Sequence, residues 1–116
     1  CRGMQYINVM FGGKLWYHPK LPVNRTRGVD HQVWLVKEQR NIWVNNYHSD
    51  CIYEEGLASC FEPLAIDREN HVVEAYGSDE MKILALQWHP ERRFETANAY
   101  EETRKIILDF IQKYVK

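Results

Sequence analysis

Two short stretches of the sequence hold residue types that could break an amide bond. The first is Cys1-Arg2-Gly3-Met4-Gln5. A cysteine that opens a helix has free backbone N–H groups and the positive end of the helix dipole beside it. Both favour the thiolate, which is the reactive form. Gly3 in this C-x-G pattern permits the close packing of a strand that turns sharply into a helix, the second half of a nucleophile elbow. The other stretch is Gln87-Trp88-His89-Pro90-Glu91. His89 follows an apolar run that reads as a strand, and side chains at the carboxyl ends of central strands line the ligand crevice of open α/β sheets. Pro90 biases His89 away from helical backbone. Glu91 is close enough in sequence to reach the far ring nitrogen of His89, hold its tautomer and stabilise the imidazolium. Cys1 as nucleophile, His89 as general base and Glu91 as orienter would together follow the logic of a catalytic triad, that of a thiol-dependent hydrolase.

These groups need elements to hold them. Met4, Ile7, Met10 and Phe11 recur at helical spacing, so residues 2–11 read as a helix that Gly12-Gly13 ends. Residues 14–30 carry Pro19, Pro22 and Gly28 with Lys14, Lys20, Arg25 and Arg27, and read as a long basic loop, solvated or able to meet an anionic substrate. β-Branched and aromatic residues mark strands at 31–37, 42–47, 62–67 and 71–76, the last two joined by a turn at 68–70, with a helical turn at 57–61. The run 82–88 (K-I-L-A-L-Q-W) reads as a central strand buried on both faces. Residues 99–115 read as a helix with Asn98 and Glu101 as its cap and Ile106, Ile107, Phe110, Ile111 and Tyr114 as its apolar stripe. Helix, strands and helix imply an α/β or α+β layered domain.

At 116 residues the chain is one domain's worth of core. A net charge of -1, from 15 basic and 16 acidic residues, gives no electrostatic reason for a nucleic-acid partner. No apolar run approaches a membrane span, and no signal peptide is visible. Three cysteines without paired spacing predict reduced thiols in a cytoplasmic protein, with Cys51 and Cys60 in the core. The histidines and cysteines lack zinc-ligand spacing, so neither a metal nor a cofactor is expected. His31 reads as structural, His18 and His71 as surface residues, and Trp88 as pocket wall.

The quoted motifs, together with Asn8-Val9, Gly12-Gly13-Lys14-Leu15, His31-Gln32-Val33 and Val44-Asn45-Asn46-Tyr47-His48, resemble the class I glutamine amidotransferases over nearly the whole chain. Within them the chain is most similar to the γ-glutamyl-γ-aminobutyrate hydrolase (peptidase C26-like) branch. The resemblance implies a flavodoxin-like three-layer α/β domain of which residues 1–116 are the C-terminal part. The N-terminal half, with part of the sheet and a glycine loop of the oxyanion hole, would be absent, so these residues alone should turn over poorly. It implies attack by Cys1 on a γ-glutamyl carbonyl to give a thioester, with His89 and Glu91 as base and orienter. The Arg2 N–H would be half the oxyanion hole, and Gln5, Asn46, Tyr47, His48 and Ser49 would line the substrate pocket. Asp50 replaces the glutamine many relatives carry, which points to a cationic leaving group.

Four functions compete. One is hydrolysis of a small-molecule γ-glutamyl amide, including a nucleotide-linked amidate. Another is a glutaminase subunit that delivers ammonia to a synthase partner. A third is an N-terminal-nucleophile hydrolase, which would not need the His-Pro-Glu motif. The last is an inactive truncated fragment with an exposed sheet edge. The partners implied are the missing N-terminal half or a second copy in a homo-oligomer.

Overall fold

A computed structural model describes residues 2–17 and 28–114. Helix α1 (Arg2–Met10) is followed by strands β1 (His31–Leu35) and β2 (Arg40–Val44), and a 3-10 turn lies at Glu54–Gly56. Strands β3 (Glu62–Asp67), β4 (Val72–Ser78) and β5 (Ile83–Leu86) come next, then helix α2 (Ala99–Tyr114). The five strands form one sheet in the order β2-β1-β3-β4-β5, with every neighbouring pair antiparallel. The chain is a mixed α/β domain. Among the described residues the parallel strands of a flavodoxin-like sheet do not occur.

Cross-strand partners share a face, and this separates the core into two layers. Leu35 pairs with Ala65, Ala65 with Ala75, and Ala75 with Leu86. These residues pack with Val33, Ile42, Val44, Trp88 and Ile106 of α2. Tyr76 pairs with Ala85 on the opposite face, where they pack with Met4 of α1, Ile52, Phe61 and Val73. The sheet therefore carries a helix on each side. β4 runs between the layers and is buried from Val72 through Gly77.

Of the run 82–88 expected as a buried strand, Ile83–Leu86 forms β5, which is last in the order of this chain's described strands and buries Ala85. The helical turn expected at 57–61 falls instead at Glu54–Gly56. α1 also departs from its apolar period. It buries Met4 together with the polar Gln5 and Asn8, while Met10 is 80% exposed.

The end of α1 shows why two glycines stand there. Gly12 adopts a φ of 97°, a conformation suited to glycine at a helix end. Asn8 donates to Gly56 O at 2.9 Å and accepts from Ala58 N at 2.7 Å. A Cβ on Gly13 would lie 2.3 Å from that pinned amide. At the other helix Asn98 enters with a φ of 68°, outside the extended geometry of a capping residue, and its carbonyl accepts from Glu102 N at 3.0 Å.

Candidate active site

The His89–Glu91 pair stands on the turn that follows β5. His89 Nδ1 lies 2.8 Å from Glu91 Oε2, with the side chains 20% and 66% exposed. A carboxylate beside Nδ1 retains the proton there and leaves the Nε2 lone pair free to accept another. The hydrogen bond from His89 holds the Glu91 carboxyl below its ordinary value of 4.5.

Asn45 fixes the backbone of His89. Its Oδ1 accepts from His89 N at 2.9 Å, and its Nδ2 donates to His89 O at 2.8 Å. The same Nδ2 reaches the carbonyls of Arg92 and Arg93 at 3.4 and 3.3 Å. Asn45 is fully buried, so one amide clamps the whole turn from the strand beyond. Sequence reasoning placed Asn45 in a motif without giving it a role. Its position directly after the β2 run, at the carboxyl end of a strand, is the signal that could have found it. The Tyr47 ring meets the His89 ring edge-on, with centroids 5.9 Å apart, and Arg92 lies 4.7 Å above the Tyr47 ring.

Arg2 opens α1. Its side chain is 63% exposed, and its guanidinium lies 3.9 Å from Asp50 Oδ2. Asp50, expected to greet a cationic leaving group, thus already faces a cation of this chain. Cys1, His18 and most of the basic loop lie outside the described residues.

The residues expected to line the pocket separate into two groups. Tyr47 is half-buried beside His89, and Ser49 is exposed. Asn46 is 2% exposed, and its carbonyl accepts from Gly28 N at 2.6 Å. Gln5 is also 2% exposed; its Nε2 donates to Asp50 O at 3.1 Å and Gln87 Oε1 at 3.2 Å. The His48 side chain is 3% exposed; its Nδ1 lies 2.8 Å from Asp50 O and its Nε2 3.4 Å from Glu74. Gln5, Asn46 and the side chain of His48 are thus buried and hydrogen-bonded within this chain.

Two further readings are corrected. Trp88, expected as pocket wall, is 1% exposed and donates through Nε1 to Thr103 Oγ1 at 3.1 Å, which ties β5 to α2. Cys60 is exposed rather than in the core, whereas Cys51 is buried, and burial pushes its thiol up to about 11. Among the described residues no three His, Cys, Asp or Glu side chains are arranged to hold a metal ion, and no helix is long and apolar enough to cross a membrane.

A profile of the peptidase C26 family matches residues 1–91. The chain is 30% identical over 112 residues to the glutamine amidotransferase-like protein YvdE of Lactococcus lactis subsp. lactis (strain IL1403), covering 83% of this chain and 46% of that protein. It superposes with a TM-score of 0.70 on the crystal structure of a Thermoplasma acidophilum protein described as one of the subunits of GMP synthase. That superposition covers 97% of this chain and 56% of the other, and at 22% identity it shows a common fold. The chain spans about half the length of the relatives it matches.

Proposed function

We propose, for a chain that belongs to the peptidase C26 family and is glutamine amidotransferase-like, that it carries the nucleophile and base of a γ-glutamyl amide hydrolase. The observation that carries this reading is the 2.8 Å His89–Glu91 contact on a backbone that Asn45 clamps. It supplies an oriented base with a free Nε2 on an accessible turn, which is the part of the chemistry that geometry must prepare.

The steps follow from proton and charge balance. Cys1 Sγ attacks the γ-carbonyl carbon while His89 Nε2 takes the thiol proton. The carbonyl oxygen becomes an oxyanion, to which the Arg2 N–H donates. Loss of one such donor typically costs ~10²-fold in rate. The C–N bond breaks, His89 returns the proton to the departing amine, and a γ-glutamyl thioester remains. His89 then takes a proton from water, the hydroxide attacks the thioester carbonyl, the C–S bond breaks, and His89 returns the proton to Sγ as the γ-carboxyl product leaves and ionises to solvent.

A second reading has one observation in its favour. The Lactococcus relative is described as glutamine amidotransferase-like. On that reading the leaving group is ammonia, passed to a synthase partner. Release of an amine from γ-glutamyl amides other than glutamine, by the chain in its full-length protein without a partner, supports the hydrolase. Ammonia release from glutamine alone, rising only with a synthase present, supports the amidotransferase and sinks the hydrolase.

A further inference from the structure

Beneath the site lies a buried group of ionisable side chains that the proposed reaction does not use. Glu74 of β4 is 1% exposed. Its Oε1 lies 3.6 Å from Nε2 of His31 at the start of β1, and its Oε2 lies 3.4 Å from Nε2 of His48. All three side chains are only 2–3% exposed. A buried carboxylate is costly unless a positive or donating group answers it.

The hydrogen-bond partners of His48 assign the proton. Nδ1 lies 2.8 Å from the Asp50 carbonyl, which can only accept, so Nδ1 carries hydrogen. Nε2 faces a carboxylate, which also accepts when ionised. Acceptors at both ring nitrogens demand a second proton, shared between His48 and Glu74. Burial alone would lower the His48 pKa below 6.5. The charge and hydrogen bond of Glu74, the Asp50 carbonyl and the charge of Asp67 on β3 outweigh it and raise the value. The other ionisable groups nearby are Asp50, which faces Arg2 of α1, and Cys51, whose thiol is held neutral at ordinary pH.

That proton lies inside a ring of hydrogen bonds. The Asp50 carbonyl also accepts from Gln5 of α1, and Gln5 reaches Gln87, two residues before His89. The Gln87 N–H closes the ring by donating to the Glu74 carbonyl at 2.7 Å. The ring therefore joins the helix that follows Cys1 to the segment that bears His89.

We propose that a His48 imidazolium–Glu74 carboxylate pair, flanked by His31, is a positioning cluster that sets the register between α1 and the His89 turn. Its catalytic meaning rests on the proposed reaction, but its structural claim does not. The test is long-range proton–nitrogen NMR of the ring nitrogens in the full-length protein, titrated in wild type and in Glu74→Gln. Wild-type His48 is expected to hold both ring protons to a higher pH than His48 of Glu74→Gln does. Equal titration in the two proteins, or earlier loss of the proton in wild type, overturns the pairing.

The positioning role has its own readout. Glu74→Gln, or His48→Gln if the former does not fold, is expected to shift the Arg2, Gln87 and His89 signals. It is also expected to slow alkylation of Cys1 by a glutamine analogue on the order of tenfold or more, as a misplaced reacting group does. Unchanged signals overturn positioning. If wild-type Cys1 is not alkylated at all, the γ-glutamyl reaction fails while the NMR result still decides the cluster.

Discussion

His89–Glu91 and His48–Glu74 are the same two functional groups in opposite surroundings. The first pair stands on a turn with side chains 20% and 66% exposed, whereas the second lies between strands at 3% and 2%. At the turn the imidazole has one nitrogen committed to a carboxylate and one free, so it can exchange a proton with a ligand. In the interior both His48 nitrogens are committed, to Glu74 and to the Asp50 carbonyl, so the proton is retained. The chemistry of a histidine–carboxylate pair is thus decided by how many ring nitrogens remain unclaimed and by access to solvent, not by the residue types.

The comparison can be broken most forcefully at its reactive end. Cys1→Ala and His89→Ala are each expected to lower turnover of a γ-glutamyl amide by ~10³-fold or more, because groups that act as a unit fail together. Steady-state kinetics of the full-length protein would check this, and near-wild-type turnover in either variant would refute the mechanism. Glu91→Gln is expected to cost roughly ten- to a hundredfold, less than the ~10⁴ of a buried orienter, because Glu91 lies largely in water. Its folded pKa lies below 4.5, so its support for His89 is present above that value and fades as the pH falls through the lowered pKa. A pH–rate profile of wild type against Glu91→Gln would reveal the difference.

Smaller effects sharpen the buried side. Asn45→Ala removes the clamp on the His89 turn and leaves buried backbone groups without their partner. It is expected to cost about 2 kcal/mol, read by denaturant unfolding. His48→Gln tests proton linkage. Because the folded His48 pKa is raised above 6.5, its contribution is complete below 6.5 and is lost as the pH rises through the folded value. The melting-temperature gap between wild type and His48→Gln should therefore narrow as the pH climbs. The pair of His71 and Glu54 at 3.0 Å is a surface control with side chains 77% and 43% exposed. Glu54→Ala is expected to change stability by less than ~0.5 kcal/mol in thermal unfolding.

Much of this was legible in the sequence. The β-branched and aromatic runs located β3 and β4, the step-of-four stripe located α2, and the spacing of His89 and Glu91 foretold their contact. Illegible were the features that depend on what lies across the fold. The run 82–88 looked like one buried strand, yet β5 spans only Ile83–Leu86 and buries Ala85. Gln5 and His48 looked like ligand contacts, being polar residues in site motifs. Both proved buried because their partners Gln87, Asp50 and Glu74 come from other elements. Trp88 was assigned to the pocket from its neighbour in sequence, while its indole N–H donates to Thr103 of α2.

The central claim is that Cys1 is an activated nucleophile served by His89. The measurement that tests it most directly is mass spectrometry after exposure of the full-length protein to a diazo-ketone analogue of glutamine. The account predicts a single adduct at Cys1, blocked by excess γ-glutamyl substrate and lost in His89→Ala. Buried Cys51, with its thiol pushed up to about 11, should stay unlabelled. Equal labelling of Cys1 and exposed Cys60, or labelling at Cys1 that does not depend on His89, would contradict it.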